Sequence, residues 1–587
     1  VFICGSSAFR CKLQIANRKF SFQSALLLLI PIALYVALVI PATYNVREAI
    51  NPDGICYIRR AMYLNNGWVE RSASAYWSPM ISWSIVPLLR AGVDGLHAAH
   101  ITLAVWGGLY MLGAGWFLFR AARIQGWLLA AAMCVIGVFA IHVACSVITP
   151  DLLLSTWLFV YLSVAYSPRL LEKRWLALVI GAIGGFAFLA KAYALPFFFA
   201  HFGMTLLFRA WNEKKREPSL AVSQIAKRVV VTGLLGAIAF IIVIGPWVGL
   251  LSYRYHKFTV STVGEIAHSY VGPKDEEEDR PDWFQVPPPP YIIRNEYTDY
   301  LPRANWSPFE SEKNFVHQIK LIGTNSLEML KTAGSLDLLW LPVLAILLLP
   351  VVGRRLFSAE EDASAALWTV LTLAIYCGGF LFIYFESRYV NSMMLPLSMA
   401  LCVLLLRLLG ERWAVLWLPQ VRTAVSIVIV LSFFIPAMRE TYQELQPRSF
   451  PRYREIAQEI LDPENMLKGP MASTAMTRGT YLAYHLGMPF VGFPPDKDIG
   501  EVERRLFGTD MGMLVLWRPR PDVPAPLTKK ARNRMDEIAD EMIHRPGWRR
   551  VLTRKWNPTT QVEVYVHKWP KKKATTTATT TQTSNVK

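Results

Sequence analysis

Charge is what this chain is short of. Only 18% of its 587 residues are Asp, Glu, Lys or Arg, against about 25% in an ordinary soluble domain. Cysteine is sparse in information too. The seven residues (Cys4, Cys11, Cys56, Cys134, Cys145, Cys377 and Cys402) form no CxxC pair and no metal-site spacing, which argues against a zinc cluster and a disulfide framework. Most lie in or beside apolar blocks, where free Cys behaves as a small hydrophobe. His142, His268, His317 and His485 also lack ligand spacing, and each reads as structural. No internal repeat is visible. The chain opens on Val1 rather than Met, so further N-terminal residues are expected. No cleavable leader is expected: the first apolar block, Phe22 to Tyr44, is long enough to span, and no small-residue cleavage pattern follows it.

What is there is an apolar excess, 53% of the residues, with a mean hydropathy of +0.30. It is gathered into blocks of about 17–25 residues, the length that crosses a hydrocarbon core roughly 30 Å thick. Candidate spans are 22–43, 100–119, 125–146, 151–166, 175–190, 193–209, 228–251, 336–352, 364–385, 389–408 and 420–438. The predicted fold is therefore an all-α polytopic membrane protein of about eleven transmembrane helices. With a cytoplasmic N-terminus, the inside segments carry Arg10, Lys12, Arg18, Lys19, Arg120, Arg123, Arg169, Lys173, Arg174, Lys214, Lys215, Arg216, Lys227, Arg228, Arg354, Arg355, Arg407 and Arg412. The short outside connections near 147–150, 191–192 and 386–388 carry just Lys191 and Arg388. That asymmetry is the positive-inside pattern. It assigns the net charge of +18 to orientation in a lipid bilayer, and no nucleic-acid partner is expected.

Three larger pieces then face outward. Loop 44–99 holds an Asn51 to Gly54 stretch that reads as a chain reversal, followed by amphipathic runs such as Ile81 to Leu89. Loop 252–335 holds the acidic run Asp275 to Asp279, the Pro287 to Pro290 tract and an expected helix near 312–331. Loops of this length are usually functional or disordered. Residues 447–570 change to mixed composition, with expected helices at 451–461, 498–507 and 529–543 and strand-like runs at Met513 to Trp517 and Val562 to His567. This predicts a small C-terminal α/β soluble domain beside the transmembrane domain of residues 1–440. The basic, Thr-rich tail 571–587 has no apolar periodicity and is expected to be disordered.

Ionisable groups near membrane depth cost about 2.5–3.5 kcal/mol each at a helix centre, so those retained there call for a reason. At the outward rim they are Asp53, Asp151, Lys191 and Arg388, the last beside Glu386. Each has a structural alternative. Asp53 before Gly54 suits a turn, and Asp151 after Pro150 suits a helix cap. Lys191 can snorkel to the headgroups, and Arg388 can simply pair with Glu386. Taken together, acidic and basic groups at one face suit a negatively charged substrate and a reaction needing a base.

Their order along the chain is more specific. Asp53-Gly54 with Tyr57, then Trp77-Ser78-Pro79, then Pro150-Asp151, then Lys191 in Leu189-Ala190-Lys191-Ala192, then Glu386-Ser387-Arg388-Tyr389, resembles the C-type (GT-C) glycosyltransferase superfamily. The resemblance lies with the branch holding protein O-mannosyltransferases, the lipid A aminoarabinose transferase and RgtA/B/C/D-like sugar transferases, and covers about residues 22–440. Many protein mannosyltransferases carry an Asp-Glu pair where this chain has Asp53-Gly54, which tilts the likeness toward the bacterial lipid- or polysaccharide-modifying members. Residues 447–570 match no motif of the family.

The resemblance implies transfer of one sugar, hexose or pentose, from a polyprenyl-phosphate donor to an unidentified acceptor hydroxyl on the outer face, periplasmic in a bacterial inner membrane. It implies Asp53 as general base in an inverting displacement, and Asp151 as a second carboxylate for acceptor or orientation. Lys191 and Arg388 would contact the donor phosphate, with Tyr57, Arg59, Glu386 and Tyr389 in support and Arg60 as a weaker candidate. No cofactor or metal is required, since cations already in place can stabilise the leaving phosphate; a divalent ion is left open. Trp283, Phe284, Tyr291, Tyr297 and Trp306 suit either sugar stacking or interfacial anchoring. Two other classes compete, a secondary transporter and a non-catalytic scaffold. One-sided clustering of the charged residues disfavours passage, because transporter sites lie near the bilayer midplane between related halves.

Overall fold

The computed structural model describes residues 22–273, 284–301, 305–349, 361–410, 418–446, 452–461, 467, 469–496, 498–522 and 534–567. Outside the described residues lie Cys4, Cys11, Arg10, Lys12, Arg18, Lys19, the Asp275 to Asp279 run, Trp283, Arg354, Arg355, Arg412 and the tail 571–587.

In chain order the helices are α1 (Phe22–Asn45), α2 (Pro52–Asn65), α3 (Val69–Ser72), α4 (Met80–Arg90), α5 (Gly95–Arg120), α6 (Gly126–Ser146), α7 (Asp151–Ala165), α8 (Arg174–Ala190), α9 (Ala194–Arg216), α10 (Val222–Tyr255), α11 (Val263–Ser269), α12 (Glu312–Leu336), α13 (Trp340–Leu348), α14 (Glu361–Gly378), α15 (Arg388–Gly410) and α16 (Pro419–Leu445), with a 3-10 turn over Arg294–Tyr300. Among the described residues, six are long and apolar enough to cross a membrane: α1, α5, α6, α10, α15 and α16. α7 and α8 are apolar but shorter, at 15 and 17 residues. Of the expected span over 336–352, α13 covers 340–348: α12 ends at Leu336, the Asp337 carboxylate accepts the Leu339 N–H at 2.9 Å before α13 begins, and 350–352 lie outside the described residues. The expected 364–385 span stops its helix at Gly378.

Between apolar helices in lipid, close packing replaces the hydrophobic effect, and small residues allow it. α8 and α10 meet in this way: a Cβ added at Gly181 would collide with the Gly236 carbonyl. Caps stop the helices outside the apolar blocks, as where Asp94 accepts the Leu96 N–H at 3.2 Å to start α5 and Ser311 accepts Asn314 N–H at 3.1 Å to start α12.

The C-terminal residues form a five-stranded sheet of β1 (Met471–Ala472), β2 (Phe490–Gly492), β3 (Met513–Pro519), β4 (Trp548–Lys555) and β5 (Thr560–His567), in the order β2-β1-β3-β5-β4. Helices α17 (Tyr453–Ile460), α18 (Met476–Leu486), α19 (Ile499–Gly508) and α20 (Arg534–Met542) cover it. Period-two alternation assigns the two faces. Met513, Val515, Val562 and Val564 join the same core as the membrane helices, with Ile456, Leu482 and Ala483. Leu514, Leu516 and Tyr565 meet Val502, Leu506, Ile538 and Met542 on the other face. The first face continues into the membrane helices, and Arg454 of α17 pairs with Asp94 at 3.0 Å.

Candidate active site

Asp53 stands in the first turn of α2. Asn51 is extended (φ −138°, ψ 158°) and Pro52 takes the first helical position, where its missing N–H leaves no bond unmade and its fixed φ suits the helix. The stretch expected to reverse the chain therefore starts a helix. The Asn51 side chain also accepts the Ile148 N–H at 2.9 Å, which ties α2 to the connection before α7. Gly54 is required by that approach: a Cβ there would lie 2.8 Å from both Asn51 Oδ1 and Ile148 Cβ.

Asp151 opens α7, at the end where a helix dipole favours a carboxylate. Its Oδ2 accepts the Thr149 hydroxyl at 2.9 Å, and its Oδ1 accepts Lys191 Nζ at 2.6 Å. Lys191 directly follows α8 in extended backbone (φ −155°, ψ 128°), beside the negative end of that helix. The next residue, Ala192, donates its N–H to Ser78 Oγ at 3.2 Å, joining the Trp77-Ser78-Pro79 motif to Lys191.

Arg388 opens α15 and bridges two carboxylates: Nη2 reaches Asp53 Oδ2 at 3.1 Å and Nε donates to Glu386. The Tyr389 ring lies beneath both cations, 4.1 Å from Lys191 Nζ and 5.2 Å from the Arg388 guanidinium carbon. Asp53, Tyr57, Asp151, Lys191, Glu386, Arg388 and Tyr389 all line one cavity of about 2340 Å³. One wall is apolar, with Phe188 from α8, Leu195, Phe197 and Ala200 from α9, and Ile375 from α14. Another comes from the loop after α11 and holds Phe284, Gln285, Arg294, Asn295 and Trp306.

The Asp53 side chain keeps 31% of its surface accessible. Burial raises its carboxyl above the ordinary carboxylate value, and Arg388 offsets that only in part. Asp53 is thus a stronger base than a free carboxylate, with a cation beside it. Asp151 differs: it is 3% exposed, and each of its oxygens already has a donor. Among the described residues no group of three or more His, Cys, Asp or Glu is gathered for a metal.

Arg59, expected in support, is not among the residues that line the cavity. It donates to Pro290 O at 3.0 Å and Tyr63 Oη at 2.9 Å, and pairs with Glu296 at 3.5 Å. Arg60 is buried, donating to Ala73 O at 3.0 Å and Glu296 O at 2.6 Å. Tyr291 and Tyr297 are buried against each other, 5.9 Å between ring centres. Trp306 lines the cavity and stacks on His268 at 4.3 Å. Asn51, expected as part of a turn, and Thr149, of the Thr149-Pro150-Asp151 stretch, turn out to be hydrogen-bond partners at the site, and Glu296 has no signal in the sequence. A short polar residue two positions before each carboxylate is the available signal for Asn51 and Thr149.

No family model matches the chain. No curated protein matches it in sequence. Among solved structures it is similar to the crystal structure of ArnT from Cupriavidus metallidurans bound to undecaprenyl phosphate, at 14% identity, over 91% of this chain and 97% of that one, with a TM-score of 0.47. A likeness of this degree transfers neither residues nor activity, so the function is argued from the cavity.

Proposed function

We propose that this protein is a membrane glycosyltransferase that moves one sugar from a polyprenyl-phosphate carrier to an acceptor hydroxyl at the outer rim of the bilayer. The reading is carried by one observation: Arg388 touches Asp53 inside a cavity that also has an apolar wall of side chains from α8, α9 and α14. The apolar wall suits a prenyl chain, and the charged rim suits a sugar phosphate.

The chemistry follows from moving charge. Asp53 takes the acceptor's proton as its oxygen attacks the anomeric carbon, and the bond from that carbon to the phosphate oxygen breaks with inversion. Its electron pair stays on the carrier, turning a phosphodiester monoanion into a phosphomonoester. One negative charge thus leaves Asp53 and appears on the phosphate, and Arg388 is positioned to follow it. Guanidinium suits two-point contact with a phosphate, whereas Lys191 acts as a point charge. Such preorganised charge needs little reorganisation during reaction. Asp151 holds Lys191 in place and orients it over Tyr389, with Tyr57 and Glu386 completing the wall. The 447–570 region is an outward-facing domain in this scheme.

The test is purified protein in lipid nanodiscs, supplied with polyprenyl-phosphate hexoses and pentoses and a cell-envelope extract as acceptor. Release of free polyprenyl phosphate, dependent on the acceptor, is the expected result. Passage of solute across a liposome without release would make the protein a transporter, and neither event would leave a scaffold.

A further inference from the structure

The segment 284–301 is gripped from two sides. On one side the C-terminal sheet ends in β2, an edge strand whose outer backbone groups need partners. Gln285 donates its N–H to Val491 O at 3.1 Å, and Phe490 donates its N–H to Ile292 O at 2.8 Å. The prolines between, Pro287 to Pro290, have no N–H to offer a strand, so the segment leaves the edge and returns to it. On the other side is α2, which carries Asp53. The Pro290 carbonyl accepts from Arg59 and from Tyr63 Oη at 3.2 Å. Four residues beyond the second anchor on β2, Glu296 forms a buried lock: its carboxylate accepts the Ile292 N–H at 2.8 Å and the Tyr63 hydroxyl at 2.7 Å.

Phe284 belongs to both halves of this arrangement. It packs on the C-terminal core that holds Val491 and Phe493, with the Arg505 guanidinium 5.1 Å from its ring. It also lines the cavity that holds Asp53. We infer that the C-terminal domain works as a clamp that fixes one cavity wall, with Phe284 as the positioning residue through which it acts. Its place is thus to hold the substrate-binding wall at a set distance from the helix of Asp53. A wall so held makes the binding-competent shape the populated one, and affinity falls in proportion when that population falls.

The inference rests on the glycosyltransferase reading for its kinetic arm only. Phe284→Ala and Phe284→Leu are compared with wild type by amide hydrogen exchange over 284–301 and by polyprenyl phosphate release. In Phe284→Ala, protection across 284–301 should drop. If the docked population falls to a tenth, KM for the polyprenyl-phosphate sugar rises about tenfold while kcat stays within about twofold, and Phe284→Leu restores both readouts. Unchanged exchange overturns the clamp whether or not the protein turns over. Lost protection with unchanged KM overturns the positioning role while leaving the enzyme reading intact. Absent release by wild type sinks that reading alone, since the exchange arm still decides the clamp.

Discussion

Replacing Lys191 by Met leaves a carboxylate with nowhere to put its charge. Lys191 Nζ stands 2.6 Å from Asp151 Oδ1, with the two side chains 16% and 3% exposed. Removing one partner of a buried pair typically costs about 3–5 kcal/mol, because the survivor is stranded. Here the Thr149 hydroxyl still donates to the other oxygen at 2.9 Å, so the lower end, about 3 kcal/mol, is expected. Adding Asp151→Asn removes the stranded charge and should recover most of the loss. The assay is equilibrium unfolding in mixed micelles, followed by tryptophan fluorescence, for wild type, both single variants and the double variant. The double should be less destabilised than the sum of the singles by about 2 kcal/mol, within the range seen for contacting residues. A Lys191→Met loss under about 1 kcal/mol, the range of solvent-exposed pairs, would refute the reasoning. So would additivity within about 0.5 kcal/mol.

Arg388→Gln should shift the pH profile in a definite direction. In the proposed mechanism Asp53 acts as a base only when ionised, so activity falls as pH drops through its raised pKa; removing Arg388 takes away the cation that lowers it, and the acidic limb of kcat/KM should move to higher pH. An unmoved or lowered limb would contradict the pairing seen at 3.1 Å. Glu296→Ala strips the acceptor from Tyr63 and from two backbone N–H groups and leaves Arg59 without its carboxylate; a loss of about 3 kcal/mol is expected by the same unfolding assay. Phe284→Tyr, which keeps the ring, should retain the wild-type KM, and a rise as large as that of the Ala variant would count against ring packing.

The charged positions were legible because ionisable residues at the ends of apolar blocks are costly, and four of them fell on one side of a single topology. The structure brings Asp53, Asp151, Lys191 and Arg388 to one cavity. What could not be read were ties between distant segments. Asn51 to Ile148 and Ser78 to Ala192 join segments whose side chains carry no pattern of their own. Arg59 sits two residues past Tyr57, and Pro290 and the buried Glu296, far along the chain, draw it away together with Tyr63. In the C-terminal region the strands at Met513 and Val562 were visible by alternation, whereas β1 and β2, two and three residues long, are too short to show a period. α18, ended by Gly487 in the left-handed conformation (φ 66°), was missed although Gly at that position is a common stop. The helix inside the span expected at 336–352 starts only at Trp340, because the Asp337 carboxylate captures the Leu339 N–H ahead of it.

The central claim is that Asp53 removes the acceptor's proton while Arg388 receives the departing phosphate. The most direct measurement is polyprenyl phosphate release at saturating donor by wild type and Asp53→Asn in the same nanodiscs, with donor binding measured alongside. Asn keeps an oxygen for Arg388, so binding should hold, while release should fall by about 10²–10⁴-fold, the usual worth of a positioned base. Release by Asp53→Asn within a few-fold of wild type would contradict it.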